Sequence, residues 1–281
     1  MLGHKLLQVA SADHDVFGTV RTPVAGLASL AGLPDDRILP GVNVAAPIEA
    51  VLERVRPDAV INCTGVLKPT TADIFVEDAI EVNALAPHRL ARACAVAGIR
   101  FVQVSTDCVF AGLRGGYREV DPTDATDIYG RTKALGEVTF GNAVTIRTSI
   151  IGRQLSGDRG LVEWFLARRH QVVSGFTQAW FSGLTTAEFS RVLVRVATGT
   201  VTGLYHVAGP RICKHDLVSK LNEAFLIGAE IHRVDQPRID RTLDGASFAA
   251  ATGYLAPSWD AMLAELTSDP TPYATWRNRA T

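Results

Sequence analysis

Asp58-Ala59-Val60-Ile61-Asn62-Cys63, a helical stretch from Ile74 to Ala97 closed by Gly98, and Arg100-Phe101-Val102-Gln103-Val104 read as one strand–helix–strand unit. The strands are short, apolar and β-branched, and the helix between them is long enough to cross back over a sheet, so the two strands are expected to be parallel. The pattern continues outward. Pro47 to Arg56 predicts a helix that opens on proline and stops before Pro57. Tyr129 to Phe140 predicts a helix, Ala143 to Arg147 a strand, Thr185 to Thr198 a helix, and Gly203 to Val207 a strand returning to the sheet. Alternation of this kind is the signature of an α/β fold built on a parallel sheet. Beyond Thr148 it loosens into polar loop, a helix around Leu161 to Arg169, the aromatic stretch Gln178-Ala179-Trp180-Phe181, and a mainly helical remainder from Lys214 onward. The expected division is 1–148 as the cofactor-binding part, with 184–207 returning to it, and 149–281 mainly as a smaller substrate-binding lobe.

The chain has 281 residues, enough for a sizeable core, and its 28 basic and 29 acidic residues leave a net charge of −1. No field of that kind draws a protein onto nucleic acid or an anionic membrane surface, so small-molecule chemistry is favoured. Cys63, Cys94, Cys108 and Cys213 are scattered, with no C-x-x-C pair and no His cluster at zinc-ligand spacing. They read as reduced thiols and no metal is expected. No apolar run approaches a membrane span and the amino terminus lacks the order of a signal peptide, so a soluble, cytoplasmic protein is expected.

Tyr129-Gly130-Arg131-Thr132-Lys133 places a phenol and an ammonium four residues apart, on one face of a helix. A nearby ammonium lowers a phenol from its ordinary pKa of about 10, which would suit Tyr129 to proton exchange near neutrality. Alone the motif is weak, since the same spacing recurs on ordinary solvated helices. Ser105-Thr106-Asp107 adds context, because it falls where a buried strand ends and ligands of open α/β sheets bind at such ends. A hydroxyl there can polarise a substrate carbonyl beside the tyrosine. Taken by themselves, these three residues read equally as a strand cap and an Asx turn.

Val104-Ser105-Thr106-Asp107-Cys108-Val109-Phe110-Ala111-Gly112, Tyr117-Arg118-Glu119 and Tyr129 to Glu137 together resemble the dTDP-4-dehydrorhamnose reductase family of extended short-chain dehydrogenase/reductases. Val60 to Gly65, Val82-Asn83 with Ala86-Pro87, Ile146 to Ser149, Phe181 to Thr186 and Gly203 to Val207 extend the resemblance over nearly the whole chain. It implies a Rossmann-type doubly wound parallel sheet, a smaller sugar-nucleotide lobe, and NADPH or NADH as hydride donor to a 4-keto deoxysugar in polysaccharide precursor synthesis. By position, Thr106, Asp107, Tyr129 and Lys133 would be catalytic. Asn62, Cys63, Thr64, Gly65, Asn83 and Ser105 would approach the cofactor, together with Tyr129 and Lys133. For Asn83 a bond to a neighbouring strand is an equal alternative. Lys68, Arg147, Trp180 and Arg241 are the substrate candidates, since arginine forks suit a diphosphate and an indole suits a base. Plain packing is as good a reading of Trp180. The oligomeric state is left open, a homodimer included.

Cofactor preference is legible in Phe17-Gly18-Thr19-Val20-Arg21-Thr22, where the second strand should finish. No carboxylate stands there to grip the ribose 2′-hydroxyl of NAD, whereas Arg21 could meet the 2′-phosphate of NADPH. Departures from the family pattern are equally informative. Met1-Leu2-Gly3-His4-Lys5-Leu6 looks like the tail of a G-x-x-G-x-x-G turn in which only Gly3 remains, with the preceding strand and about ten residues absent. Ala125 stands where the family has a proline, and Asn62 to Pro69 and Asp240 to Asp244 differ from the substrate motifs of rhamnose-pathway enzymes. Two alternatives follow: a sugar-nucleotide epimerase or dehydratase, disfavoured because Cys108 stands where dehydratases carry an acid, and a non-catalytic dinucleotide-binding subunit.

Overall fold

The structure, a computed structural model, describes residues 1–67 and 76–277. Its strands are β1 (Gly18–Val20), β2 (Ile38–Pro40), β3 (Ala59–Asn62), β4 (Arg100–Val104), β5 (Ala143–Arg147), β6 (Ile150–Ile151), β7 (Val172–Phe176), β8 (Ala179–Phe181), β9 (Leu184–Thr185), β10 (Gly203–His206), β11 (Ile212–Cys213), β12 (Glu230–Val234) and β13 (Ile239–Asp240). The central sheet has the order β10-β5-β4-β3 and all its ladders are parallel. β1 and β2 form a separate parallel pair. Among the described residues no strand joins β1 to β3, the place the family pattern assigns to a first strand.

Both faces of the sheet are covered, and the alternation of side chains along β4 shows how. Phe101 and Ala143 pack with Leu52, Leu90, Ala91 and Cys94 on one face. Val102, Val144 and Ile146 pack on the other against Phe189, Val192, Leu193 and Val196. Those last four sit at i, i+3, i+4 and i+7 of the helix Thr186–Thr198, which starts where the Thr185 side chain accepts from the Glu188 N–H. Each such side chain contributes roughly 1.5–3 kcal/mol when fully buried. The stacked apolar faces are therefore what fixes the carboxyl ends of β4 and β5.

The remaining chain is less helical than its sequence suggests. β12 pairs in parallel with β7, and β8 is flanked by β11 and β13, so two small sheets share this region with the helices Lys214–Ala224, Ala246–Thr252, Trp259–Thr267 and Tyr273–Arg277. The helix expected to run to Phe140 spans Ile128–Leu135 and stops at Gly136. A side chain at position 136 would overlap the Asn83 carbonyl, so glycine is needed where this helix meets the π-turn Ile80–Leu85.

The helix Leu2–Ala10 packs on Thr186–Thr198 and is tied to the carboxyl-terminal segment by a buried ion pair, Lys5 Nζ to Asp269 Oδ2 at 2.7 Å. Burial alone would raise the Asp269 carboxyl, but hydrogen bonds from Lys5, Tyr273 and Thr271 outweigh it and hold it at about 2. An unfolded aspartate titrates near 4, so this interaction stabilises fully above about pH 4 and is lost as the pH falls through about 2. Asp269→Asn is expected to lower stability at neutral pH by about 2 kcal/mol. It should also flatten the acid limb of a plot of Tm against pH. An unchanged acid limb would show that Asp269 titrates as an ordinary carboxylate.

Candidate active site

The site is built where β4 ends. Thr106 caps a short 3-10 turn, Asp107–Val109, its Oγ1 accepting from the Cys108 N–H at 3.1 Å and donating to Asp107 Oδ1 at 3.2 Å. The helix Ile128–Leu135 is laid against this turn. Its first turn is capped by Asp127, whose carboxylate accepts from the Gly130 N–H at 2.9 Å. Glycine at 130 is a packing requirement, because a Cβ there would overlap the Cys108 carbonyl oxygen. That close approach brings the Tyr129 hydroxyl into hydrogen-bonding reach of Thr106. Lys133, one helical turn on, is buried and donates from Nζ to the Val104 carbonyl at 2.8 Å, pinning the helix to the strand.

The electrostatics of the pair differ from the sequence expectation. Burial is the largest influence on Tyr129 and raises its pKa above the ordinary value, with Cys108, Asp107 and Asp127 acting in the same direction and Thr106 opposing. The expected lowering by Lys133 is not found. Its ammonium is engaged by Val104, and burial brings Lys133 itself down to about 8 against the opposing pull of Glu137 and Cys63. The phenol is thus held firmly in its protonated form, ready to donate.

Asn62 is buried and faces inward, its Nδ2 donating to Gln103 and its Oδ1 accepting from the Thr64 N–H and hydroxyl, so it shapes the turn after β3. Cys63 is pushed up to about 12 by burial, opposed by the nearby Lys133 and Met1 ammonium groups. The amino end of the helix Leu2–Ala10 therefore lies by the carboxyl end of β3 and the base of the Tyr129 helix. Thr64 and Gly65 are exposed there, and the space beside Gly3 is open, a Cβ at that position meeting no atom within 4 Å. Asn83 is fully buried and bonds the Val66 backbone on both sides, through Oδ1 at 2.8 Å and Nδ2 at 2.9 Å, and also the Thr132 hydroxyl. Of its two sequence readings, the bond to a neighbouring segment is the one the geometry presents. Ser105 is likewise turned inward, donating to Glu137 at 2.7 Å. Arg21 is exposed just past the end of β1.

The substrate candidates divide. Arg147 is not brought to the cleft: it is 3 % exposed, forked onto Glu137 at 2.6 and 2.7 Å, and in contact with His206. Its charge is consumed inside the fold. Trp180 is half-buried with the Arg211 guanidinium 3.4 Å over its ring, and Arg211 pairs with Asp240. Arg241 donates to the Phe110 carbonyl at 2.7 Å and acts electrostatically on Asp107, which places it beside the Thr106 turn. Lys68 lies outside the described residues. One residue that sequence reasoning missed is Lys214, whose ammonium lies 4.0 Å over the Phe181 ring and within electrostatic reach of Asp107 and Cys108. No motif marks it. It reaches the site because β11 pairs with β8, Cys213 opposite Trp180.

A parallel sheet with a Tyr-x-x-x-Lys helix packed against a hydroxyl residue at the end of an inner strand is the architecture of the short-chain dehydrogenase/reductases. Within that class the chain belongs to the RmlD substrate binding domain family, whose model matches residues 1–251. It is 33% identical over 202 residues to dTDP-4-dehydrorhamnose reductase of Mycobacterium tuberculosis, a match covering 66% of this chain and 65% of the relative, somewhat under two thirds of its length. It is 28% identical over 207 residues to the dTDP-4-keto-6-deoxy-D-glucose reductase of Streptomyces niveus, covering 70% of each. The crystal structure of Bacillus anthracis dTDP-4-dehydrorhamnose reductase in complex with NADP superposes with a TM-score of 0.74 at 20% identity, over 91% of this chain and 99% of that one. At that identity the superposition speaks for the fold alone.

Proposed function

We propose that the chain is an NAD(P)H-dependent reductase of a 4-keto deoxysugar carried on a nucleoside diphosphate. The single observation that carries this reading is the protonated Tyr129 phenol held against Thr106 at the end of β4, with Lys133 fixing the helix behind it. The names of the M. tuberculosis and S. niveus relatives, both dTDP-sugar reductases, supply the substrate class. In this reading the carbonyl oxygen sits between Thr106 and Tyr129. The bound nicotinamide supplies hydride to the carbonyl carbon. Thr106 polarises the carbonyl, and Tyr129 gives its proton to the oxygen as negative charge builds, leaving an alcohol and a phenolate. The region 1–148, with 184–207 returning to it, would carry the cofactor, and 149–281 mainly the sugar nucleotide. β10 supports the first assignment by pairing with β5.

In this reading the dinucleotide would be held by Gly3 at the helix start, Cys63 to Gly65 after β3, and Lys133. A helix amino end with open space beside it suits a diphosphate. Arg21 is exposed just past β1, where it could meet a 2′-phosphate. Arg21→Ala is expected to weaken NADPH binding by roughly 10–100-fold, the loss of a charge-assisted contact, while leaving NADH nearly unchanged. Calorimetric titration with both cofactors checks it; an equal effect on the two would remove Arg21 from the cofactor site. The activity itself is tested by following NADPH consumption with dTDP-4-keto-6-deoxy sugars, which should be turned over while the free sugars are not.

A further inference from the structure

At the end of β4 the backbone is still extended at Thr106, so Ser105 and Thr106 send their side chains to opposite sides of the chain. Ser105 is turned inward, its hydroxyl donating to Glu137 Oε1 at 2.7 Å, while the Thr106 hydroxyl faces the turn on which the Tyr129 helix is seated. The backbone on either side of Thr106 is tied to the chain of β5 and just beyond it, the Ser105 N–H donating to the Ile146 carbonyl at 2.7 Å and the Asp107 N–H to the Thr148 carbonyl at 3.2 Å. These bonds fix the strand end along its neighbour but leave it able to rock about its own axis. Such a movement would swing the Thr106 hydroxyl. Ser105 opposes it, because its acceptor cannot follow: the Glu137 carboxylate is forked by Arg147 Nε and Nη2 at 2.7 and 2.6 Å, and the remaining arm of Arg147 contacts His206 Nε2 on β10 at 3.2 Å. Glu137 also follows Gly136 at the end of the helix Ile128–Leu135, which carries Tyr129 and Lys133. One clamped carboxylate therefore joins the strand end that bears Thr106 to the helix that bears Tyr129.

We propose that Ser105 is a positioning residue: anchored on Glu137, it sets the direction in which the Thr106 hydroxyl meets the substrate carbonyl. This rests on the reading of Thr106 and Tyr129 as the carbonyl-binding pair. It differs from the cofactor contact that the family resemblance implies for Ser105, whose hydroxyl is spent inside the fold. Other ties hold strand and helix together without it, Lys133 Nζ on the Val104 carbonyl at 2.8 Å and the close seat of Gly130 on Cys108. Loss of the Ser105 hydroxyl therefore loosens an angle and leaves the fold standing. A displacement of about 1 Å at a reacting group can cost on the order of 10²-fold in rate, so a hydroxyl that never touches substrate carries a kinetic effect of that size.

The experiment measures kcat and KM for a dTDP-4-keto-6-deoxyhexose, and Kd for NADPH, with the unsubstituted protein, Ser105→Ala, Thr106→Ala and the double variant, at a temperature well below the lowest Tm of the four. Ser105→Ala should lower kcat by roughly 10–100-fold and leave KM and the NADPH Kd little changed. Thr106→Ala should lower kcat at least as far, and adding Ser105→Ala to it should cost nothing more, because a residue that acts only through Thr106 then has nothing left to position. A purely structural serine would not show that dependence on Thr106. An unchanged kcat in Ser105→Ala, an equal further loss in the double variant, or a failure of Ser105→Ala to fold would each overturn the proposal. So would a weakened NADPH Kd with kcat intact, which would return Ser105 to the cofactor. Failure of the unsubstituted protein to reduce the sugar, or full activity in Thr106→Ala, would instead count against the reductase reading itself.

Discussion

Replacing Tyr129 with phenylalanine is expected to slow reduction by 10²–10⁴-fold, the usual contribution of a positioned general acid, while leaving the fold and cofactor affinity intact. The substitution removes one oxygen from a ring that remains packed against the Thr106 turn. Because burial raises the phenol above its ordinary pKa, the proton is present throughout the neutral range, so the rate of the unsubstituted protein should not fall on this account between neutral and mildly alkaline pH. Steady-state rates with saturating NADPH measure the effect. A loss below roughly tenfold would show that the proton comes from elsewhere.

The second large effect is on stability. Glu137 accepts from Ser105 at 2.7 Å and from both arms of Arg147 at 2.6 and 2.7 Å, and the two charged side chains are only 10% and 4% exposed. Removing one member of such a pair leaves the other charge buried, so Glu137→Gln is expected to cost about 3–5 kcal/mol in urea unfolding. The double replacement Glu137→Leu with Arg147→Met removes both charges and should cost markedly less than the single change. If the single change were nearly neutral, Arg147 would have its charge compensated elsewhere and could serve a substrate.

These two sites also show what the amino-acid sequence discloses. The strands β3, β4, β5 and β10 and the helices between them are legible because a buried parallel strand is a short apolar run and its covering helix has a three-to-four residue apolar spacing. Thr106, Tyr129 and Lys133 are legible because their chemistry depends on local spacing at a strand end and on one helix face. Arg147 is different. Its role depends on His206, set opposite it on β10, and on Glu137, which follows the helix Ile128–Leu135, and nothing within its own segment separates a buried arginine from a substrate arginine.

Lys214 is hidden for a similar reason, since the pairing of β11 with β8 carries it to Asp107 and no neighbouring residue marks it. β12 falls in a stretch whose sequence reads as mainly helical, because Glu230-Ile231-His232-Arg233-Val234 is largely solvent-facing and carries no apolar alternation; its partner β7 supplies the order. The helix containing Tyr129 reads four to five residues too long because Ala134, Leu135 and Val138 continue an apolar spacing that Gly136 interrupts for contact with Asn83.

The most direct measurement follows the hydride. With NADPH deuterated at the transferred position and a dTDP-4-keto-6-deoxyhexose as substrate, the product should carry one deuterium at C4 in place of the ketone, seen by mass spectrometry and placed by NMR. Tyr129→Phe should suppress its appearance. A product without deuterium, or with the label at another carbon, would contradict the account, because an epimerase or dehydratase on this fold returns the hydride to the sugar it came from and a binding subunit transfers none.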